Sequence, residues 1–425
     1  MTTDAEHKEM IVQLMKDERR MDWSVWPAFI YDSHFLTPAG KDAVLWARDA
    51  LQRTLGDNFI REIEKRSIQH SIFSHELWPA FDGPIIYANL FQLAAQIEIL
   101  QSKDGWSLVR DALRRDLRIE QWASSLLQLE VAGLGLKAGW QIELERLLPT
   151  DKRTDVVLIK ESTKLLVETK VMVLSGEEQE ANAYFYRMVG ILLDLAWKYG
   201  VRITGSLGSS LAADVQTRWL NEIKAAAIDT AKDGKKWIVP SPVDGQLEIT
   251  KDATKPGISP LENAMVETDV GRRLFFLLRD KNEQYEGAGP AWVCLGDYGG
   301  LWQSSSLQGK SLSEKLDILT PYLQARLAFF PNLAGVILSP GKGAAGNHPI
   351  EPLNTPIERN GGIAMRCIMP ERNQIREGII VTQVGKFTEQ ARIFADLYQQ
   401  ESSWLDWALK KLEKPPFDEL VHLSE

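Results

Sequence analysis

The sequence predicts an α/β protein in three stretches. A helical N-terminal region covers residues 1–115, a central α-β-β-β-α-β core covers 116–240, and a C-terminal α/β region covers 261–425. Three observations predict this. Up to about residue 115 apolar residues recur at helical spacing, with no good period-2 segment. From about 118 to 207 helical and alternating patterns succeed one another in the order of the core. The stretch VPSPVDGQLEITKDATKPGISP, from Val239, is dense in Pro, Gly and Asp and reads as a linker or long loop before the last region.

The elements follow in order. AGKDAVLWARDALQRTLG predicts a helix closed by a glycine, and GPIIYANLFQLAAQIEILQ a second. RDALRRDLRIEQWASSLLQLEVAGLGLKAG is charged in its first half and apolar in its second, and its glycines stop a helix. WQIELERL alternates, with Trp140, Ile142 and Leu144 on one side, so it predicts a half-buried strand. DVVLI and KLLVETKVMVL, separated by KEST, predict a β-hairpin. SGEEQEANAYFYRMVGILLDLAWKYG predicts a helix with Ser175 as N-cap, and VRITGSL a further strand. Beyond the Pro-rich stretch, AWVCLGDY, LAGVILSP, IAMRCIM and EGIIVTQV predict buried strands, with a helix over LSEKLDILTPYLQARLAFF. This part forms either a second α/β unit or an extension of the first sheet.

Composition limits the function. The two cysteines, Cys294 and Cys367, lie in apolar runs, which excludes a disulfide scaffold and speaks against a cysteine zinc site. No segment is apolar and long enough for a signal sequence or a membrane span, so no membrane partner and a cytoplasmic location are expected. The 14 tryptophans predict buried anchors. The net charge of −9 does not advertise nucleic-acid binding, although a local basic surface is compatible with it.

The hairpin carries the chemistry. Asp155, Glu168 and Lys170 sit inside runs of Val, Leu and Ile. Glu168 and Lys170 are two apart and share a strand face. A turn centred between Ser162 and Thr163 pairs Asp155 with Lys170 and sets Glu168 diagonally beside it, with Cβ separations of about 5 Å and about 7–8 Å. Two carboxylates that close in an apolar setting repel, and one protonates unless a cation intervenes. Mg²⁺ (or Mn²⁺) favours carboxylate oxygens, and a lysine beside it can position a water or offset charge on a phosphate.

Asp155 followed by Glu168-Thr169-Lys170 resembles the PD-(D/E)XK nuclease superfamily, with its restriction-endonuclease-like fold. The α-β-β-β-α-β order resembles it too. The resemblance implies that Asp155 and Glu168 hold the metal, that the Thr169 carbonyl joins them, and that Lys170 assists the attacking water. It also implies an acid on the preceding helix, matched by Glu130. Thr154 stands where the family often has Pro. The resemblance leaves out the helical N-terminus and the C-terminal third. The function it implies is Mg²⁺-dependent hydrolysis of nucleic acid, DNA before RNA, with a homo-oligomer or protein partner engaged through the flanking regions. The alternatives are a non-catalytic nucleic-acid or protein-binding module on the same fold and a hairpin whose charged face is simply solvated.

Other patterns are weaker. Gly341 to Gly346 matches G-x-G-x-x-G but runs into NHPIEPLNTP instead of a helix, which reads as a loop. His70 and His75 are badly spaced for one helix face. Arg110, Arg114 and Arg118 fall on one helix face, and Lys232, Lys235 and Lys236 precede Trp237. Either group is a candidate phosphate track, set against a solvated helix face and a charged loop.

Overall fold

Residues 291–295, AWVCL, are apolar without a break, and a strand buries such a run only when both of its faces are covered. The computed structural model shows that arrangement: Trp292 and Cys294 point into one core, Ala291, Val293 and Leu295 into another. The structure describes residues 23, 33–60, 84–115, 119–172, 176–207, 211–243, 245–252, 254, 256–262, 270–297, 307, 309–340, 356–369 and 374–422.

The first elements are helices α1 (Pro38–Leu55), α2 (Pro84–Leu100), α3 (Trp106–Arg115) and α4 (Ile119–Lys137). Strands β1 (Gln141–Leu147), β2 (Arg153–Lys160) and β3 (Thr163–Met172) follow. Next come α5 (Gly176–Tyr199), β4 (Val201–Ser206), α6 (Ala213–Asp233), β5 (Trp237–Pro240), β6 (Gln246–Lys251) and β7 (Gly257–Glu262). The chain continues with α7 (Val270–Gln284), β8 (Ala291–Asp297), α8 (Leu312–Leu327), β9 (Leu333–Pro340), β10 (Ile357–Arg359), β11 (Gly362–Met369) and β12 (Gln374–Thr382). It ends with α9 (Thr388–Gln399), α10 (Trp404–Lys411) and α11 (Phe417–Leu420).

The chain divides into two units, one of residues 1–173 with 270–425 and one of 174–269. The first holds an eight-stranded mixed sheet in the order β1-β2-β3-β8-β9-β12-β11-β10. Its middle is parallel: β3 pairs with β8 and β8 with β9. One face packs Ile142, Val156, Leu158, Val167, Trp292 and Ile337 against α1–α4 and α9–α11. The other packs Val157, Leu166, Val293, Leu295 and Val336 against α7 and α8. The second unit has a four-stranded sheet, β5-β6-β4-β7, and its own core of Met188, Leu192, Ile203, Trp219 and Ile249.

Several expectations change. The helix and strand expected to complete the core, α5 and β4, lie in the second unit, where β4 pairs with β6 and β7. The neighbour of β3 is β8, with Glu168 beside Val293 and Lys170 beside Leu295. In the first unit α4, β1, β2 and β3 are followed by α7 and β8, with residues 174–269 between β3 and α7 in the chain. The physical reason lies in the strands. VRITGS buries only alternate positions, with Arg202 exposed, and cannot sit between two helical layers; AWVCL can. The expected linker after Val239 contains β6 and β7, and its Pro, Gly and Asp residues serve turns such as the one closed by the Ser241 amide on the Gly245 carbonyl (2.7 Å). The described helices of 1–115 share a core with α4 and the sheet, and the C-terminal strands extend that sheet.

Candidate active site

Strands β2 and β3 run as an antiparallel ladder from Lys160↔Thr163 to Val156↔Val167. The turn is Glu161-Ser162, with Glu161 in the left-handed region (φ 54°). This register is two residues tighter than the sequence-based pairing. Continued by one step, it sets Asp155 opposite Glu168, not Lys170. A shift of two keeps the parity of the pairing, but the alternation breaks where the ladder stops: Thr154 meets Tyr285 on the Glu168 side, and the Asp155 carboxylate meets Thr169, which faces α4.

The ladder ends just before Asp155. There the Asp155 carboxylate reaches across to β3, where Oδ2 accepts from the Thr169 amide and the Thr169 hydroxyl, both at 2.7 Å. Glu168, the residue before, is 2% exposed. Lys170, the residue after, keeps 31% of its side chain exposed and places Nζ 4.0 Å from Glu168 Oε1. Asp155, Glu168, Thr169 and Lys170 are thus gathered at the open end of the β2–β3 ladder.

Burial, and then the Asp155 charge, push the Glu168 carboxyl up to about 7, against the pull of Lys281 and Lys170. Its oxygens are held by three residues of α7 and the turn after it. Oε1 accepts from Lys281 Nζ. Oε2 accepts from Gln284 Nε2 at 3.1 Å and lies 2.9 Å from the Tyr285 hydroxyl. Tyr285 in turn lies 2.7 Å from Thr154 Oγ1, which lies 3.2 Å from the Val167 carbonyl. The Tyr285 hydroxyl thus donates to Glu168 Oε2, and the Thr154 hydroxyl to the Val167 carbonyl. Burial, and then the Glu168 charge, hold the Tyr285 phenol well above its ordinary range.

Sequence reasoning missed Lys281, Gln284 and Tyr285. The signal was present: Leu274 and Leu278 are the buried stripe of α7, and Lys281 and Tyr285 continue it at the same spacing. A lysine in line with an apolar stripe needs a buried anion.

Glu145 on β1 was also missed. Its backbone is left-handed (φ 51°), and the β1–β2 ladder skips it, passing from Leu144↔Val156 to Arg146↔Thr154. Burial, and next the Asp155 charge, raise its pKa. Gln128 of α4 bridges the two acids, donating to Glu145 Oε1 and to the Asp155 carbonyl, both at 2.8 Å. Gln128 therefore marks the α4 face that meets the site. At about 100° per residue Glu130 lies roughly 200° around the helix from it. Glu130 is buried on another side of α4 from Gln128, and Glu145 is the acid that Gln128 ties to the Asp155 backbone.

Among the described residues no group of three or more His, Cys, Asp or Glu is placed to hold a metal ion. The donor set that fits one chemically is the pair Asp155 and Glu168: hard oxygen donors, one deeply buried, whose mutual repulsion a cation would relieve.

The other candidates fare differently. Arg110 pairs with Asp111, and Arg114 donates to the carbonyls of Arg53 and Thr54 at the end of α1; Arg118 lies outside the described residues. Lys232 and Lys235 are exposed in the second unit, Lys236 pairs with Glu248 at 2.7 Å, and Trp237 is 42% exposed. Gly341 to Gly346, His70 and His75 lie outside the described residues. Cys294 is buried, with its Sγ 3.1 Å from the Tyr398 hydroxyl. Among the described residues no helix is long and apolar enough to cross a membrane. No family model, no curated protein and no solved structure matches the chain.

Proposed function

We propose that this chain is a metal-dependent nuclease of the PD-(D/E)XK type that hydrolyses nucleic-acid phosphodiesters, with DNA the preferred substrate. One observation carries the reading: a carboxylate 2% exposed, Glu168, is coupled to a second, Asp155, where the β2–β3 ladder opens, with Lys170 beside them. The order α4-β1-β2-β3-α7-β8, interrupted by an inserted unit, supports it as the layout the resemblance implies.

The roles follow from positions. Asp155 and Glu168 would hold Mg²⁺ or Mn²⁺, with the Thr169 carbonyl as the resemblance implies. The cation supplies Lewis-acid polarisation of the phosphate and an acidified water. Thr169, through its amide and hydroxyl, fixes the rotamer of Asp155. Gln128 fixes the backbone at Asp155 and the carboxylate of Glu145. Lys170 has the exposure to meet substrate, and its ammonium can orient a water or offset charge building on the phosphate. The experiment is cleavage of labelled DNA and RNA with and without Mn²⁺. Asp155→Ala, Glu168→Ala and Lys170→Ala should each abolish cleavage, and cleavage that survives all three changes refutes the assignment.

A second reading is a non-catalytic binding module on the same fold. It is favoured by the protein donors that already occupy both Glu168 oxygens. Calorimetric titration with Mn²⁺ separates the two, because a binding module shows no uptake that depends on Asp155.

A further inference from the structure

Of the two lysines near Glu168, the nearer comes from α7, not from the strand motif. Lys281 Nζ contacts Glu168 Oε1 directly, and Lys170 stands 4.0 Å from the same oxygen. The Lys281 side chain is 14% exposed and also donates to Gln284 Oε1 at 2.9 Å. Its placement is built from several sides. Gln284 donates to the Arg153 carbonyl at 2.6 Å, and its own carbonyl accepts from Thr150 at 2.7 Å. Asn282 ties the same end of the helix to Asn332 through two hydrogen bonds. A lysine held this way is a fixed positive charge against a buried carboxylate.

We propose that Lys281 is the resident cation of the metal-free site, and that a divalent ion binds by displacing its ammonium from Glu168. This rests on the nuclease reading above. Lys281 is then a positioning residue that sets metal affinity, distinct from Lys170, which faces substrate. The cost of separating the ammonium from Glu168 is charged against metal binding. Two positive charges also cannot share one carboxylate without repelling. By reciprocity, whatever weakens Lys281's hold on Glu168 strengthens the metal's hold, by the same factor. The displaced ammonium keeps Gln284 Oε1 as a partner one turn along α7.

The test is Mn²⁺ affinity by calorimetry on the full chain, for wild type, Lys281→Met, Lys281→Gln, Lys281→Arg and Asp155→Asn, with thermal melting of each. Two neutral variants guard against one of them failing to fold. Lys281→Met and Lys281→Gln should bind Mn²⁺ about tenfold more tightly than wild type, a usual size for such coupling. Lys281→Arg should stay near wild type, and Asp155→Asn should lose binding. Without metal the neutral variants should melt about 5 °C lower than wild type. Saturating Mn²⁺ should close most of that gap, which a purely structural role would leave open. Equal or weaker binding by the neutral variants overturns this inference and leaves the nuclease reading standing. No Asp155-dependent uptake by any of the proteins overturns both.

Discussion

Thr169 gives both its amide and its hydroxyl to one oxygen of Asp155, each at 2.7 Å. The bond crosses from β3 to β2 one step beyond the last paired residues, so it ties the strands together where their ladder has stopped. Thr169 is also the residue between Glu168 and Lys170. The three-residue motif on β3 therefore positions the partner acid on β2 through its middle member. Thr169→Val keeps the shape and removes the hydroxyl. It should lower stability by about 1–3 kcal/mol, the cost of a lost hydrogen bond to a charged group. It should also weaken Mn²⁺ binding by about tenfold, as loss of an orienting partner does. Urea unfolding and calorimetry measure the two; unchanged values in both would show that the contact orders nothing.

The pH dependence of stability has a definite sign. Glu168 is pushed from 4.5 up to about 7 in the folded protein. Between those values the folded state binds more protons than the unfolded one, so stability falls as pH rises. The contribution is fully present below about 4.5 and is lost by the time the pH has passed about 7. For the metal-free protein the change is roughly 2–4 kcal/mol. Urea midpoints from pH 5 to 8 should fall for wild type relative to Glu168→Gln. A parallel pair of curves would show that Glu168 ionises normally. Mn²⁺ should reverse the slope, because only the ionised carboxylate is a good ligand.

Parts of this site could be read from the chain because of where the charges stood. Asp155, Glu168 and Lys170 interrupt Val, Leu and Ile runs, and period-2 parity predicted a common face whichever two residues of KEST made the turn; parity could not say that the Asp155 carboxylate turns to Thr169, which alternates with Glu168 and Lys170. The turn itself could not be read: four polar residues do not say that Glu161 takes the left-handed backbone, so the register was off by two. Glu145 looked like the solvent phase of an alternating strand, and only its backbone reveals otherwise. Lys281 lies 113 positions from Glu168, beyond an insertion whose own helix and strand mimicked the end of the core. Periodicity gives each element's type and buried stripe. It does not give the partner, and β4 was misassigned for that reason.

Glu130 and Glu145 make opposite predictions. Glu145 is coupled to Asp155 and bridged to it by Gln128; Glu130 is on another side of α4. Glu145→Gln should reduce Mn²⁺-dependent cleavage by about 10–100-fold, in the range for outer partners of metal ligands. Glu130→Gln should leave cleavage within about threefold of wild type, because the change keeps its shape and a side chain outside the site has no transition-state contact to lose. Rates on one labelled duplex under saturating Mn²⁺ decide it, and a larger loss for Glu130→Gln than for Glu145→Gln would restore the helix acid to the site.

The insertion predicts its own independence. Residues 174–269 bury Tyr184, Met188, Leu192, Ile203, Trp219, Ile223 and Ile249 in a core separate from those on the two faces of the large sheet. Within it β4 is the junction: antiparallel to β6 on one side and parallel to β7 on the other. The Trp219 indole donates to the Pro240 carbonyl at 3.0 Å, tying α6 to β5. A segment with a closed set of strand partners and its own apolar centre has the ingredients of an independent domain. Expressed alone, 174–269 should show mixed α/β circular dichroism and a single cooperative thermal transition. Trp219→Ala should destabilise that fragment by about 3–5 kcal/mol. A fragment without a cooperative transition would mean that the core of this unit is completed by the rest of the chain, and that the insertion is structural only in its connectivity.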